Sequence, residues 1–277
     1  MRSLYLFLAL AFLWSCNSQP SHNVELIDLH IHLKEDLTID EAIKKSDAEG
    51  VRYGIAANCG LGFPIQTNDE IFEYLEYMSQ FPQFYIGMQA EGREWLEMFS
   101  SEAIAQFDYV FTDAMTFTDS KGRRNRIWID EETWIDDEQQ FMDYLVETSV
   151  KIISNEPIDI FVNPTYLPAQ MADRYDYFWT EARMQKVIDA AVASDVAIEI
   201  NNRFMIPSEK FVKMAKASGA MFTIGTNNID KNFPPPHFAE EMIVKCGLDN
   251  SDFWTPEMKK RTAAKSSNCS VRCGACS

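Results

Sequence analysis

Short apolar runs alternate with amphipathic stretches along most of the chain, and this alternation limits the fold more than any other feature. Strands are expected at 24–29, 52–57, 84–89, 107–111, 158–162, 196–200 and 221–224. Helices are expected at 39–49, 69–80, 94–100, 139–153, 181–193, 208–218 and 238–246, with a further one at 255–264. Runs this apolar suit strands buried on both faces, and strands that alternate with helices imply a parallel sheet. No dinucleotide-type glycine-rich turn accompanies the seven units, which favours a closed barrel over an open, doubly wound sheet. The expected fold class is α/β, a seven-stranded (β/α)7 TIM-like barrel.

The 277 residues are enough for one such barrel with a well-buried core, and a composition 46% hydrophobic and 24% charged is that of a globular chain. A formal net charge of −17 argues against a nucleic-acid partner, because phosphate contacts need clustered Lys and Arg. The one basic patch is Lys121, Arg123, Arg124 and Arg126. It lies in an acidic and aromatic insertion, 112–138, that interrupts the alternation after the fourth strand.

The N-terminus reads as a targeting segment. Arg2 precedes an apolar run, 4–14, too short for a permanent transmembrane helix, and the chain turns polar directly after Cys16. This resembles a bacterial lipoprotein signal cleaved before a lipid-bearing Cys16. Trp14 departs from that pattern, and ordinary signal cleavage is the alternative. Either reading predicts an exported protein of the cell envelope, and the first anchors it to the membrane through its N-terminal lipid. The expected organisation is a signal at 1–16, a tether at 17–23, the barrel at 24–264 and a cysteine-containing tail at 265–277. Cys59 and Cys246 read as small buried residues. Cys269, Cys273 and Cys276 have a spacing also found in cluster-binding radical enzymes, but their place in a polar tail favours a disulfide or a disordered end.

In a β/α barrel the active site is built from the C-terminal ends of the strands. Read in order, those ends carry His30 and His32, then Asn58 and Cys59, Glu91 and Arg93, Thr112 and Asp113, Asn163, Glu199 with Asn201 and Arg203, and Asn227 with Asn228. The H-x-H of the first strand is the sharpest signal, because period-two alternation aims both imidazoles to one side, where they can grip a divalent cation. Only four histidines occur in the chain, and two of them are here.

These elements resemble the polymerase and histidinol phosphatase (PHP) superfamily. Asp28-Leu29-His30-Ile31-His32 is similar to its opening D-x-H-x-H, and Ala197-Ile198-Glu199-Ile200-Asn201-Asn202 to its sixth-strand L-E-I-N-N. Gly87 to Glu91, Phe107 to Val110 and Gly225 to Ile229 stand in the places of weaker motifs. The resemblance covers residues 24 to about 247. It implies a distorted seven-stranded barrel that binds up to three divalent metals and hydrolyses phosphoesters. The chain departs from the motifs at Asn58, Met115, Asn163, Asn227 and Ile229, where the family carries metal ligands. What remains is His30, His32 and Glu91, with Asp113 as a possible recruit.

The leading expectation is therefore a metal-dependent hydrolase of phosphoesterase type, with a small-molecule substrate and a reduced site. His30, His32 and Glu91 would hold a divalent ion (zinc, manganese or iron), whose bound water becomes acidic. Asp113 would take a proton or complete the metal site, and Arg93 and Arg203 would steady an anionic oxygen. Asn58, Asn163, Glu199, Asn201 and Asn227 are candidate substrate contacts. One alternative is a non-catalytic barrel binding a small polar ligand through these asparagines, with Tyr166, Tyr175, Tyr177 and Trp179 stacking on it. Another is a surface interaction lipoprotein that uses the 112–138 insertion as a lid or contact face.

Overall fold

The computed structural model describes residues 24–34 and 36–259. The signal, Cys16, the tether and the three tail cysteines lie outside them. The chain runs β1 (Ile27–Ile31), α1 (Ile39–Glu49), β2 (Arg52–Gly60), α2 (Asn68–Met78), β3 (Tyr85–Glu91), α3 (Trp95–Met98), α4 (Ser101–Ile104) and β4 (Tyr109–Thr112). A hairpin of β5 (Thr116–Thr118) and β6 (Arg124–Arg126) follows, then α5 (Glu138–Asn155), β7 (Ile160–Phe161), α6 (Tyr175–Phe178), α7 (Glu181–Ser194), β8 (Ala197–Asn201), α8 (Glu209–Ala217), β9 (Phe222–Gly225) and α9 (His237–Cys246). Seven parallel strands close in the order β1-β2-β3-β4-β7-β8-β9, with β9 pairing back to β1. The fold is the α/β seven-stranded TIM-like barrel that the alternation implies.

Local chemistry marks the helix ends. Thr38, Asp137, Thr180 and Ser208 each cap a helix by accepting a backbone N–H with the side-chain oxygen, and Thr67 and Glu70 form a reciprocal capping box at α2. The apolar faces of α5 (Phe141, Leu145, Ile152) and α7 (Val187, Ile188, Ala191) belong to the large cluster outside the strands. A smaller cluster, including Leu29, Ala56, Tyr85, Tyr109, Phe111, Ile160, Val162 and Ala197, fills the barrel interior. The period of two then fixes what stands above it. Two residues beyond Ala56 is Asn58; beyond Phe111 is Asp113; beyond Ala197 are Glu199 and Asn201; four and six beyond Tyr85 are Gln89 and Glu91. An apolar plug thus sits under a polar mouth.

The insertion is more ordered than an acidic loop. Its hairpin pairs Thr116 with Arg126 and Thr118 with Arg124. Arg124 pairs with Glu94, Arg126 with Glu132, and Arg123 with both Asp119 and Asp136. The basic patch expected from sequence is therefore neutralised by its own acidic neighbours. The helix expected at 255–264 begins within the described residues, and its remainder lies outside them.

Candidate active site

The two histidines owe their direction to an irregularity in β1. Asp28 pairs with Tyr53 and Ile31 with Ile55, so β1 spends one residue more than β2 over this stretch. A bulge of this kind re-aims side chains. Leu29 joins the interior cluster while the His30 ring packs 4.5 Å from Phe111 of the same cluster. Asp28 holds the bulge: its carboxylate accepts from the His30 and Thr226 amides at 3.1 and 3.0 Å, and from the Thr226 hydroxyl. Burial outweighs these bonds and pushes its pKa up to about 6. Asn228 continues the seam, accepting from the His32 amide at 2.7 Å and donating to the His32 carbonyl at 2.9 Å.

Both imidazoles are fixed in one tautomer. His30 Nδ1 lies 2.5 Å from Glu199 Oε1, and His32 Nδ1 lies 2.8 Å from the Ala56 carbonyl. Each acceptor requires the proton on Nδ1, which leaves the lone pair on Nε2. Both Nε2 atoms are buried and, among the described residues, have no well-formed hydrogen bond. Burial holds the His32 imidazole well below its usual range, with the charge of Lys34 acting the same way and the Ala56 carbonyl and Gln89 side chain opposing. The rings meet edge to face, 5.1 Å apart. A buried nitrogen lone pair without a donor is uncommon in proteins, and two side by side, each oriented through its other nitrogen, is the pattern of metal-binding imidazoles.

Glycine makes this support possible. A Cβ on Gly225 of β9 would strike the Glu199 carboxylate and come within 2.9 Å of His30 Cβ. Glu199 Oε2 also accepts from the Asn163 amide at 2.8 Å and from Asn201 Nδ2 at 3.0 Å. Glu199 is thus an orienting residue with both oxygens engaged, and Asn201, fully buried, serves the same network.

Glu91 and Asp113 stand on the other side of the mouth. Asn58 Nδ2 donates to Glu91 Oε1 at 2.7 Å and to Gln89 Oε1 at 2.9 Å, and Asn163 Nδ2 donates to Asp113 Oδ2 at 2.9 Å. Burial, then the charge of Asp113, pushes Glu91 up to about 8, and burial also raises Asp113. Asp113 lies within electrostatic reach of His30 as well. Without a compensating cation, burial and the neighbouring Asp113 charge favour the protonated form of Glu91. Asn163 and Asn227 both sit at φ 50°, a left-handed conformation that asparagine tolerates better than most residues.

A cavity of about 250 Å³ opens above this floor, lined by Lys34, Asn58, Gln89, Glu91, Asp113, Asn163, Arg203 and Asn227 and roofed by Phe63, Trp128 and Phe204. Among the described residues Lys34 and Arg203 make no ion pair; Arg203 lies against the Phe204 ring. Burial lowers the pKa of Lys34, with Glu91 opposing.

The structure brings Asn58, Glu91, Asp113, Asn163, Arg203 and Asn227 to this cavity, with Glu199 and Asn201 behind it and both histidines buried at its base. It does not bring Arg93. Gly92 at φ 73° breaks the strand alternation, and Arg93 turns to donate to Glu156 and Thr112, each at 2.7 Å. Of the aromatic residues proposed to stack, Tyr175 donates to Thr165, Trp179 is buried, Tyr177 packs on Phe178 and Tyr166 on Phe204; none lines the cavity. Lys34, Phe63, Pro64, Gln89 and Phe204 line the cavity without having been singled out in the sequence, whereas Trp128 belongs to the insertion expected as a lid. Gln89 had a signal, being two residues before Glu91 on the same strand face.

The residues fit one cation better than three. Of the positions that would complete a larger cluster, Asn58, Asn163 and Asn227 are amides engaged with one another or with the carboxylates, and Met115 and Ile229 offer no oxygen or nitrogen ligand. Among the described residues, no three His, Cys, Asp or Glu side chains already stand as a coordination sphere. The two free Nε2 atoms are the part of the site that matches a metal.

No family model matches the sequence, and no curated protein matches it. Among solved structures, the chain is similar to a histidinol phosphate phosphatase from Lactococcus lactis subsp. lactis Il1403, solved with zinc, L-histidinol and phosphate. The TM-score is 0.58 at 14% identity, covering 84% of this chain and all (100%) of that one. A chain of an archaeal ribonuclease P complex with mature tRNA aligns at a TM-score of 0.41 and 13% identity, over 80% of this chain and 88% of that one. At such identities the first likeness shows a shared barrel fold, and the second carries no argument.

Proposed function

We propose that the protein is a metal-dependent hydrolase of small anionic esters, with phosphoesters as the leading substrates. The observation that carries this reading is the pair of buried Nε2 lone pairs on His30 and His32, each preset through its Nδ1. The likeness to a histidinol phosphate phosphatase supports the choice of phosphoester. His30 and His32 would hold one divalent ion, with Glu91 and Asp113 as the facing carboxylates. Such an ion supplies Lewis acidity and an acidic bound water. The remaining steps belong to the chain. Glu199 and the Ala56 carbonyl orient the imidazoles. Lys34 and Arg203, without carboxylate partners, bind the anionic oxygens of the ester. With Glu91 facing the ion, Asp113 would accept the proton of an attacking water on its carboxylate and return it to the leaving oxygen. Phe63, Trp128 and Phe204 exclude bulk water from above.

Elemental analysis of the purified chain after growth in zinc, manganese or iron, with a phosphatase screen in each metal, tests this. A stoichiometric ion and metal-dependent turnover are expected. A second reading has its own observation: four amides, Asn58, Gln89, Asn163 and Asn227, line the cavity, which suits a polar ligand bound without chemistry. Metal-free protein that binds ligand and turns nothing over would favour it. We also propose that the mature chain is exported and lipid-anchored through Cys16. Loss of acylation and release from the membrane fraction in Cys16→Ser is the expected result, and unchanged membrane association would refute it.

A further inference from the structure

We infer that the substrate's leaving group is a sugar or sugar alcohol, seated in a second cavity beside the first. This rests on the hydrolase reading above and adds the substrate class. The second cavity, about 320 Å³, shares Arg203 and Asn227 with the first as common walls, and the loop after β9 closes it. Its size suits a small-molecule site.

The polar groups that face it divide into spent and free. Asn202 accepts from the Ala239 amide and donates to the Gly225 carbonyl, and Asn228 is committed to His32 and Asp230. Asn227 uses only its amide hydrogens, in a long 3.5 Å bond to Asn163, so its carbonyl oxygen is open. The Asn232 side chain has no partner among the described residues, and Asp230 spends one oxygen on the Asn232 amide and keeps the other. Ile229, Phe233 and Pro234 supply apolar surface. Amide, carboxylate and apolar face together match a polyhydroxylated group, whose hydroxyls both donate and accept and whose C–H face packs on carbon.

Charge fixes the orientation. Lys34 lines the first cavity only, and Arg203 is the sole cation shared by both. The one carboxylate of the second cavity, Asp230, repels a second anionic group. The phosphoryl end therefore belongs beside Lys34 and Arg203, with the neutral hydroxylated end beyond Arg203. Hydrolysis adds water across the P–O bond: the oxygen goes to phosphorus, and a proton goes to the leaving alkoxide, giving phosphate and the free alcohol with no redox change.

Ile229 is 59% exposed and lines only the second cavity, so Ile229→Trp fills that space without touching the first. The measurement is kcat/KM for methyl phosphate, which cannot reach the second cavity, against sorbitol 6-phosphate, on the full metal-loaded chain. The wild type should prefer sorbitol 6-phosphate by about ten-fold or more, as expected when a site pairs hydroxyls that a smaller substrate lacks. Ile229→Trp should erase the preference and leave methyl phosphate within about two-fold of wild type. No preference in the wild type, or a preference that survives the substitution, overturns the assignment. If neither ester is hydrolysed, the hydrolase reading fails, and calorimetry with sorbitol 6-phosphate decides the cavity separately. Binding lost in Ile229→Trp upholds it; no binding to the wild type overturns it.

Discussion

The two halves of the barrel mouth treat their polar residues in opposite ways. On the β1–β9–β8 side, Asp28, Asn228, Glu199 and Asn201 spend their donors and acceptors on one another, on Thr226 and on the histidines. On the β3–β4 side, Glu91 and Asp113 are held away from their ordinary ionisation, and across the cavity they share, Lys34 and Arg203, from the loops after β1 and β8, have no ion-pair partner among the described residues. The first side is a frame. The second has unmet electrostatic demand, which in a partly buried cavity is where binding and chemistry are expected. Polar residues at strand ends therefore form two classes, separated by whether their hydrogen bonds are already complete.

Breaking the frame should produce the largest effect. Asp28→Ala removes the acceptor of two buried backbone amides and a hydroxyl, and should cost about 3–5 kcal/mol of stability in urea unfolding. Asp28→Asn keeps an acceptor and should cost markedly less. Gly225→Ala should follow at about 2–3 kcal/mol, because its methyl would strike the Glu199 carboxylate. Equal stability of Gly225→Ala and wild type would mean that this approach is looser than described.

Softer changes sharpen the contrast. Glu199→Gln removes the carboxylate that orients His30 and should weaken metal binding by roughly 10–100-fold in chelator competition, with little change in unfolding midpoint. The two arginines then separate the classes. Arg203→Ala should raise KM for a phosphoester about ten-fold while leaving stability near wild type, since Arg203 has no ion-pair partner to strand. Arg93→Ala should do the reverse, losing stability through the orphaned Glu156 with KM unchanged. The smallest effect concerns Glu156 itself. Burial raises its pKa despite the pull of Arg93, so the folded state binds a proton more readily than the unfolded chain. Its contribution is present at low pH and is lost as pH rises through the carboxylate range, and Glu156→Gln should flatten that part of the stability–pH curve.

Much of the frame was legible in the sequence because barrel strands repeat with period two and end in turns. That periodicity placed α1 at its observed bounds and put His30, Asn58, Glu91, Asp113 and Asn163 at one mouth. It fell short where a single residue altered the register. The bulge in β1 leaves no signature in Asp28-Leu29-His30, and β2 runs to Gly60, so Asn58 and Cys59 lie within the strand rather than after it. Arg93 and Arg203 look alike in sequence, each two residues past a strand-face acid or amide; a left-handed Gly92 and a buried Glu156, distant in the chain, decide that only Arg203 faces the cavity. Lys34 and Trp128 follow or interrupt the regular elements, where period carries no information about direction.

On the reading proposed above, the two free imidazole nitrogens hold a metal. His32→Ala is the most direct test, because among the described residues its ring nitrogen Nε2 lacks a well-formed hydrogen bond, with the Gln89 side chain near enough to influence the ring. Inductively coupled plasma analysis and circular dichroism on the same purified sample should show a stoichiometric ion in the wild type. The variant should have lost that ion and all metal-dependent turnover, with a preserved far-ultraviolet spectrum. A His32→Ala protein that keeps its full complement of metal and activity would contradict the account, since the paired histidines would then be structural and the amide-lined cavity a ligand site without metal chemistry.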